Sequence, residues 1–148
     1  MQPFPHHYTI SAAAIPDGDV ALSGQRLPQL VSASPVEFDG PGDRWSPETL
    51  VVAAVADCFV LTFRVIAKLS KFRWATLTCE ASGTVDRVDR VTQFTALAVR
   101  ASLEVPDDAH EDQAKRLLVR AEETCLITNS FKAPFHLEIE LRVAQTTA

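Results

Sequence analysis

The chain has 148 residues, 47% of them hydrophobic and 22% charged, and 19 acidic against 14 basic side chains leave a formal net charge of -5. That length suits one domain, residues 1–148, large enough to bury its own core, so neither disulfide staples nor a structural metal is needed for folding. An acidic chain without clustered Lys and Arg makes a poor polyanion ligand, which argues against nucleic acid as a partner, and no repeat or low-complexity run supports a disordered or solenoid chain.

The segment from Met1 to Tyr8 lacks a basic stretch followed by an apolar one, so no secretory leader is expected and the location reads as cytoplasmic. Pro16-Asp17-Gly18-Asp19, Ser23-Gly24, Pro28, Pro35 and Asp39-Gly40-Pro41-Gly42-Asp43 punctuate residues 1–45 and predict two or three short strands ending in a loop. Ser46-Pro47-Glu48 then starts a helix: Ser46 caps free N–H groups, Pro47 suits the first helical position, and Glu48 complements the positive end of the dipole. The helix should reach Lys68 to Lys71. Its apolar run, Leu50 to Phe63, carries Asp57 and falls short of the ~20 residues that span a bilayer. It reads as a buried helix, apolar on almost every face, with other elements or a second subunit as its cover.

From Trp74 the period becomes two. Leu77, Cys79, Ala81, Gly83 and Val85 form one face of a strand, and after a polar turn at Asp86 to Arg90, Thr95, Leu97, Val99, Ala101, Leu103 and Val105 form one face of the next. Pro106-Asp107-Asp108 opens a second helix, with capping-box spacing between Asp108 and Glu111 and an apolar stripe of Ala114, Leu117, Leu118, Ala121 and Cys125. Cys125 to Pro134 is turn-like, and Phe135, Leu137, Ile139, Leu141 and Val143 alternate with polar residues in a last strand that joins the hairpin sheet. The order gives an α+β fold with a mainly antiparallel sheet.

Three cysteines cannot all pair within one chain, which favours free or redox-active thiols. Cys79 is in phase with a buried strand face and reads as core. Cys58 and Cys125 also have core-like neighbours by periodicity. Asp57, however, places a carboxylate beside the Cys58 thiol inside an apolar run, so it must point to solvent or pair with an arginine such as Arg64 or Arg100. Thr128, Asn129 and Ser130 follow Cys125 and offer polar side chains to a cleft. His6, His7, His110 and His136 have no ligand spacing with one another or with the cysteines, so no metal is expected, and no nucleotide-binding or serine-hydrolase motif points to a cofactor.

Trp45-Ser-Pro-Glu-Thr-Leu-Val-Val-Ala-Ala-Val-Ala-Asp-Cys-Phe59 resembles the first motif of the OsmC/Ohr family, the organic hydroperoxide resistance and osmotically inducible proteins, and Cys125-Leu-Ile-Thr-Asn-Ser-Phe-Lys132 resembles the second. The resemblance implies an OsmC-like fold in an intertwined homodimer with sites at the subunit interface, and a thiol peroxidase that reduces organic hydroperoxides and is reset by an external dithiol. By motif position it makes Cys58 the peroxidatic cysteine, Cys125 the resolving cysteine and Glu48 the active-site glutamate. Three positions depart from the pattern: no arginine stands in Ala14-Ile-Pro-Asp-Gly18, leaving Arg26 and Arg44 as the nearest candidates to stabilise a thiolate; Asp57 replaces a small residue; and Leu126 replaces a proline.

Glu48 and Cys58 are ten residues apart, about 15 Å along one helix axis, so a Glu48 serving this thiol would come from a partner chain whose helix, residues 46–70, packs antiparallel. A different class of protein fits the same residues: a dimeric binding or redox-sensing protein that keeps the fold and uses its cysteines as core.

Overall fold

Turn chemistry sets the first part of the chain. A computed structural model describes residues 1–106 and 110–144, and the chain divides into two compact units, Met1–Leu50 and Val51–Ala148. In the first unit three short strands, β1 (Ser11–Ala13), β2 (Val20–Ser23) and β3 (Leu30–Ser32), form an antiparallel meander with Ala12 opposite Leu22 and Ala21 opposite Val31. Gly18 turns the chain between β1 and β2 at φ 103°, a conformation open to glycine and costly for other residues. One 3-10 turn, Val36–Phe38, follows before Ser32 bridges Trp45.

Helix α1 runs Pro47–Leu69. Ser46 caps it as expected: its Oγ accepts from the Thr49 N–H at 3.1 Å, and Thr49 Oγ1 accepts in return from the Ser46 N–H at 2.8 Å, so both free donors are satisfied. Val55, Phe59, Phe63 and Ala67 repeat every four residues and are fully buried. The rest of the surface differs from the sequence expectation of all-round burial: Asp57, Leu61, Arg64, Val65, Lys68 and Leu69 are exposed in the single chain. The helix ends at Leu69, within the expected stop between Lys68 and Lys71. Its 23 residues, with a mean hydropathy of 2.2 over the best window, are long and apolar enough to cross a membrane, because Val65, Ile66, Ala67 and Leu69 extend the pattern beyond Phe63. Its buried stripe, however, belongs to the same core as the sheet and second helix described next.

The second unit holds β4 (Thr76–Val88), β5 (Val91–Val105), α2 (Glu111–Glu123), a single helical turn α3 (Leu126–Asn129) and β6 (Phe135–Val143). The sheet order is β4-β5-β6. β4 and β5 form the expected antiparallel hairpin, and β6 joins β5 as expected, but in parallel, with Leu97 opposite Phe135 and Val105 opposite Val143. A register shift at Thr84/Val85 leaves Thr95 as the extra residue, so Phe94 packs against the core where simple alternation expected Thr95, and Val85 is exposed.

Leu97, Val99, Ala101, Leu103 and Val105 of β5 meet Val55, Phe59, Phe63 and Ala67 of α1 and Ala114, Leu117, Leu118 and Ala121 of α2 in one core. α2 begins after His110; the capping pair expected of Asp108 and Glu111 involves Asp108, which lies outside the described residues. The sheet's other face is polar, and Arg100 there sits between Glu138 at 3.6 Å and Glu140 at 3.9 Å.

Candidate functional site

The buried stripe of α1 fixes where Cys58 points. One residue before Phe59, the thiol is half-buried, its sulfur 3.9 Å from the Thr62 hydroxyl one turn on. Cys125 arrives from the other side of the core: it ends the stripe of α2, is fully buried, and stands immediately before α3. The two come close enough for Cys58 to act on the proton of Cys125.

Burial pushes the Cys125 thiol pKa up, since an apolar surrounding disfavours the charged form. The N–H and hydroxyl of Thr128 pull the other way, and a negative charge on Cys58 again holds the proton on Cys125. The third thiol, Cys79, packs at the edge of the core, as its strand phase predicts, and burial followed by the charge of Cys125 pushes its pKa up to about 11.

A groove of about 580 Å³ runs past Cys58, lined by Ala54, Asp57, Leu61, Thr62, Val65, Ile66, Thr124 and Ile127. It is mostly apolar and has one charged side chain, Asp57, in its wall. Asp57 is exposed, which fulfils the solvent alternative; the alternative of a pair with Arg64 or Arg100 fails, since among the described residues no ion pair reaches it and Arg100 is engaged by Glu138 and Glu140. Of the three polar residues after Cys125, only Thr128 serves the thiols, and its hydroxyl also donates to the Cys125 carbonyl at 3.1 Å. Asn129 donates instead to the Glu123 carbonyl at 3.0 Å and Ser130 to the Leu126 carbonyl at 2.8 Å, both closing local turns.

A converging cysteine pair on this order of elements can be compared with known proteins. The family profile described as OsmC-like protein matches residues 40–140. The chain belongs to the OsmC family. It is 28% identical over 112 residues to the uncharacterized protein YmaD of Bacillus subtilis, covering 74% of this chain and 75% of that one. Its fold is that of an OsmC-like protein of unknown function from Vibrio cholerae (TM-score 0.82, 16% identity, 91% of this chain and 99% of the other). It is also that of an organic hydroperoxide resistance protein OsmC from Legionella pneumophila (TM-score 0.73, 21% identity, 94% and 98%).

In this OsmC chain the remaining candidates lie in the first unit. Glu48 stands in the opening turn of α1, and its Oε2 is buried with no hydrogen-bond partner among the described residues. Such an orphan acceptor is costly to leave unmade. The guanidinium of Arg44 is engaged by Asp19 at 3.1 Å and Asp43 at 3.1 Å. Arg26 is exposed at φ 58° in the turn between β2 and β3. Leu61 and Val65 are legible in the sequence as apolar neighbours of Cys58 at i+3 and i+7, whereas Thr62, Ile66 and Thr124 carry no signal beyond the i, i+4 spacing of Cys58 with Thr62.

Proposed function

We propose that this OsmC-family chain is a cytoplasmic, homodimeric thiol peroxidase that reduces organic hydroperoxides. The observation that carries the reading is the convergence of Cys58 and Cys125, with Cys58 opening on an apolar groove. In the first step the Cys58 thiolate attacks one oxygen of the peroxide; the O–O bond breaks, Cys58 becomes a sulfenic acid, and the alkoxide leaves as alcohol after taking a proton. In the second, the Cys125 thiol loses its proton and attacks the Cys58 sulfur, expelling water and leaving a Cys58–Cys125 disulfide. An external dithiol returns both cysteines to thiols by exchange and leaves as a disulfide.

Burial supports Cys125 as the resolving thiol, because it holds the proton on a cysteine that does not line the groove. A second copy is supported by Leu61, Val65 and Leu69, 47%, 57% and 79% exposed on one face of α1, and antiparallel packing of two such helices would bring Glu48 of the partner subunit toward Cys58.

Thiol titration during addition of cumene hydroperoxide tests the reading. Prompt loss of two thiols per chain, abolished by Cys58→Ser, supports the peroxidase; unchanged thiols at neutral pH favour a binding or redox-sensing protein of the same fold.

A further inference from the structure

We propose that Asp57 sets the charge selectivity of the Cys58 groove, so that Cys58 reacts with uncharged or cationic alkyl reagents in preference to those bearing a carboxylate close to the reacting atom. For hydroperoxides this rests on the peroxidase reading above and names its substrate class. Asp57 adjoins Cys58 in the chain and lines the same groove, where the other walls are apolar side chains such as Leu61, Val65, Ile66 and Ile127 or neutral hydroxyls. Among the described residues no cation pairs with it. Arg64 stands two turns further along α1, about 10 Å by helix rise, and does not line the groove. The charge of Arg44 is matched by Asp19 and Asp43, and Glu48 from a partner subunit would add a charge of the same sign as Asp57.

An anionic reagent entering this groove loses water to apolar walls, finds no free cation among the groove's own side chains, and meets a carboxylate. A neutral reagent of the same shape avoids all three. At a separation of several ångströms near a protein surface, one unit charge against another is worth about a tenfold difference in rate at low salt.

The first test needs no turnover. Iodoacetate and iodoacetamide differ in charge and little in size, and mass spectrometry reads their alkylation of Cys58. Relative to the same ratio measured for a free thiol, the wild-type protein should favour iodoacetamide by about tenfold, and Asp57→Asn should bring the ratio to within about twofold of the free thiol. A general effect of Asp57 on the thiolate cancels in this ratio. The second test compares a tertiary hydroperoxide bearing a short carboxylate arm with its methyl ester, the ester having the higher kcat/KM in the wild type and losing that advantage in Asp57→Asn and in high salt. A ratio unchanged by Asp57→Asn in the alkylation assay overturns the inference. Charge selectivity in alkylation with no consumption of either hydroperoxide overturns the peroxidase reading and the substrate class, and leaves the selectivity of the groove standing.

Discussion

Cys58 and Cys125 converge but are proposed to have different duties, and substitution should separate them. Cys58→Ser is expected to abolish peroxide consumption. Cys125→Ser should still consume one equivalent and then stop, with a sulfenic acid at Cys58 that a dimedone adduct reveals in mass spectrometry. Cys79 offers a check by pH. Its thiol ionises at about 11 in the folded chain against 9.0 when unperturbed, so below 9.0 both states hold the proton and it contributes no pH dependence. As pH rises from there the unfolded chain loses the proton first, the unfolded state is favoured, and stability falls until the folded thiol ionises too. Urea midpoints at about pH 8 and about pH 10 should therefore drop, less steeply in Cys79→Ala, with the remainder following Cys125, which shifts in the same direction.

At this scale strand phase was enough to place Cys79 in the core, because a period of two leaves one side chain one choice of face. Cys58 was less legible. Its helix neighbours are apolar on the buried and the groove side alike, so periodicity alone does not distinguish a packed thiol from one with a path to solvent. Thr128 was visible as a polar neighbour of Cys125, but Asn129 and Ser130 looked equivalent to it. The turn geometry of α3 decides among them, and that geometry depends on where α2 stops.

Among the elements, α1 sets the core through Phe59 and Phe63. Phe59→Ala should cost about 3–5 kcal/mol in chemical denaturation, since the cavity would open between α1, β5 and α2 where little can collapse into it. Ser46→Ala removes the reciprocal cap with Thr49 and should cost about 1 kcal/mol with little effect on thiol chemistry. The bulge at Thr84/Val85 explains a glycine: a Cβ on Gly83 would stand 2.7 Å from Phe94 Cε1 and 3.0 Å from Val52 Cγ2. The sequence showed that hairpin but not its bulge, because alternation remains plausible on each strand separately and only their pairing exposes the extra residue. The parallel direction of β6 was equally hidden: a strand's pattern states which face is buried and says nothing of which way its neighbour runs.

For the whole molecule, the exposed Leu61, Val65 and Leu69 make assembly a measurable consequence. Val65→Glu should weaken self-association by roughly 100-fold, because two unpaired carboxylates at the interface together cost about 2–3 kcal/mol, and sedimentation at micromolar concentration would then show monomers. Loss of peroxide turnover with the dimer, while Cys58 still reacts with iodoacetamide, would tie catalysis to the partner's contribution. The apolar surplus of α1 was plain in the sequence as a helix without a polar face. A single chain leaves that surplus uncovered, which is a reason to expect a second copy and carries no geometry for it.

The parallel pairing of β5 and β6 has a consequence in time. β4 and β5 are joined by a tight turn and can zip locally, whereas Leu97 reaches Phe135 only after the chain has crossed over through α2. Cys125 sits in that crossover, and Cys58 lies upstream of the hairpin. Until that crossover is made the two thiols stand apart, and their convergence is a long-range closure. Pulsed alkylation during refolding should find Cys125 protected only when β6 has docked, which makes the redox couple a marker of completed folding.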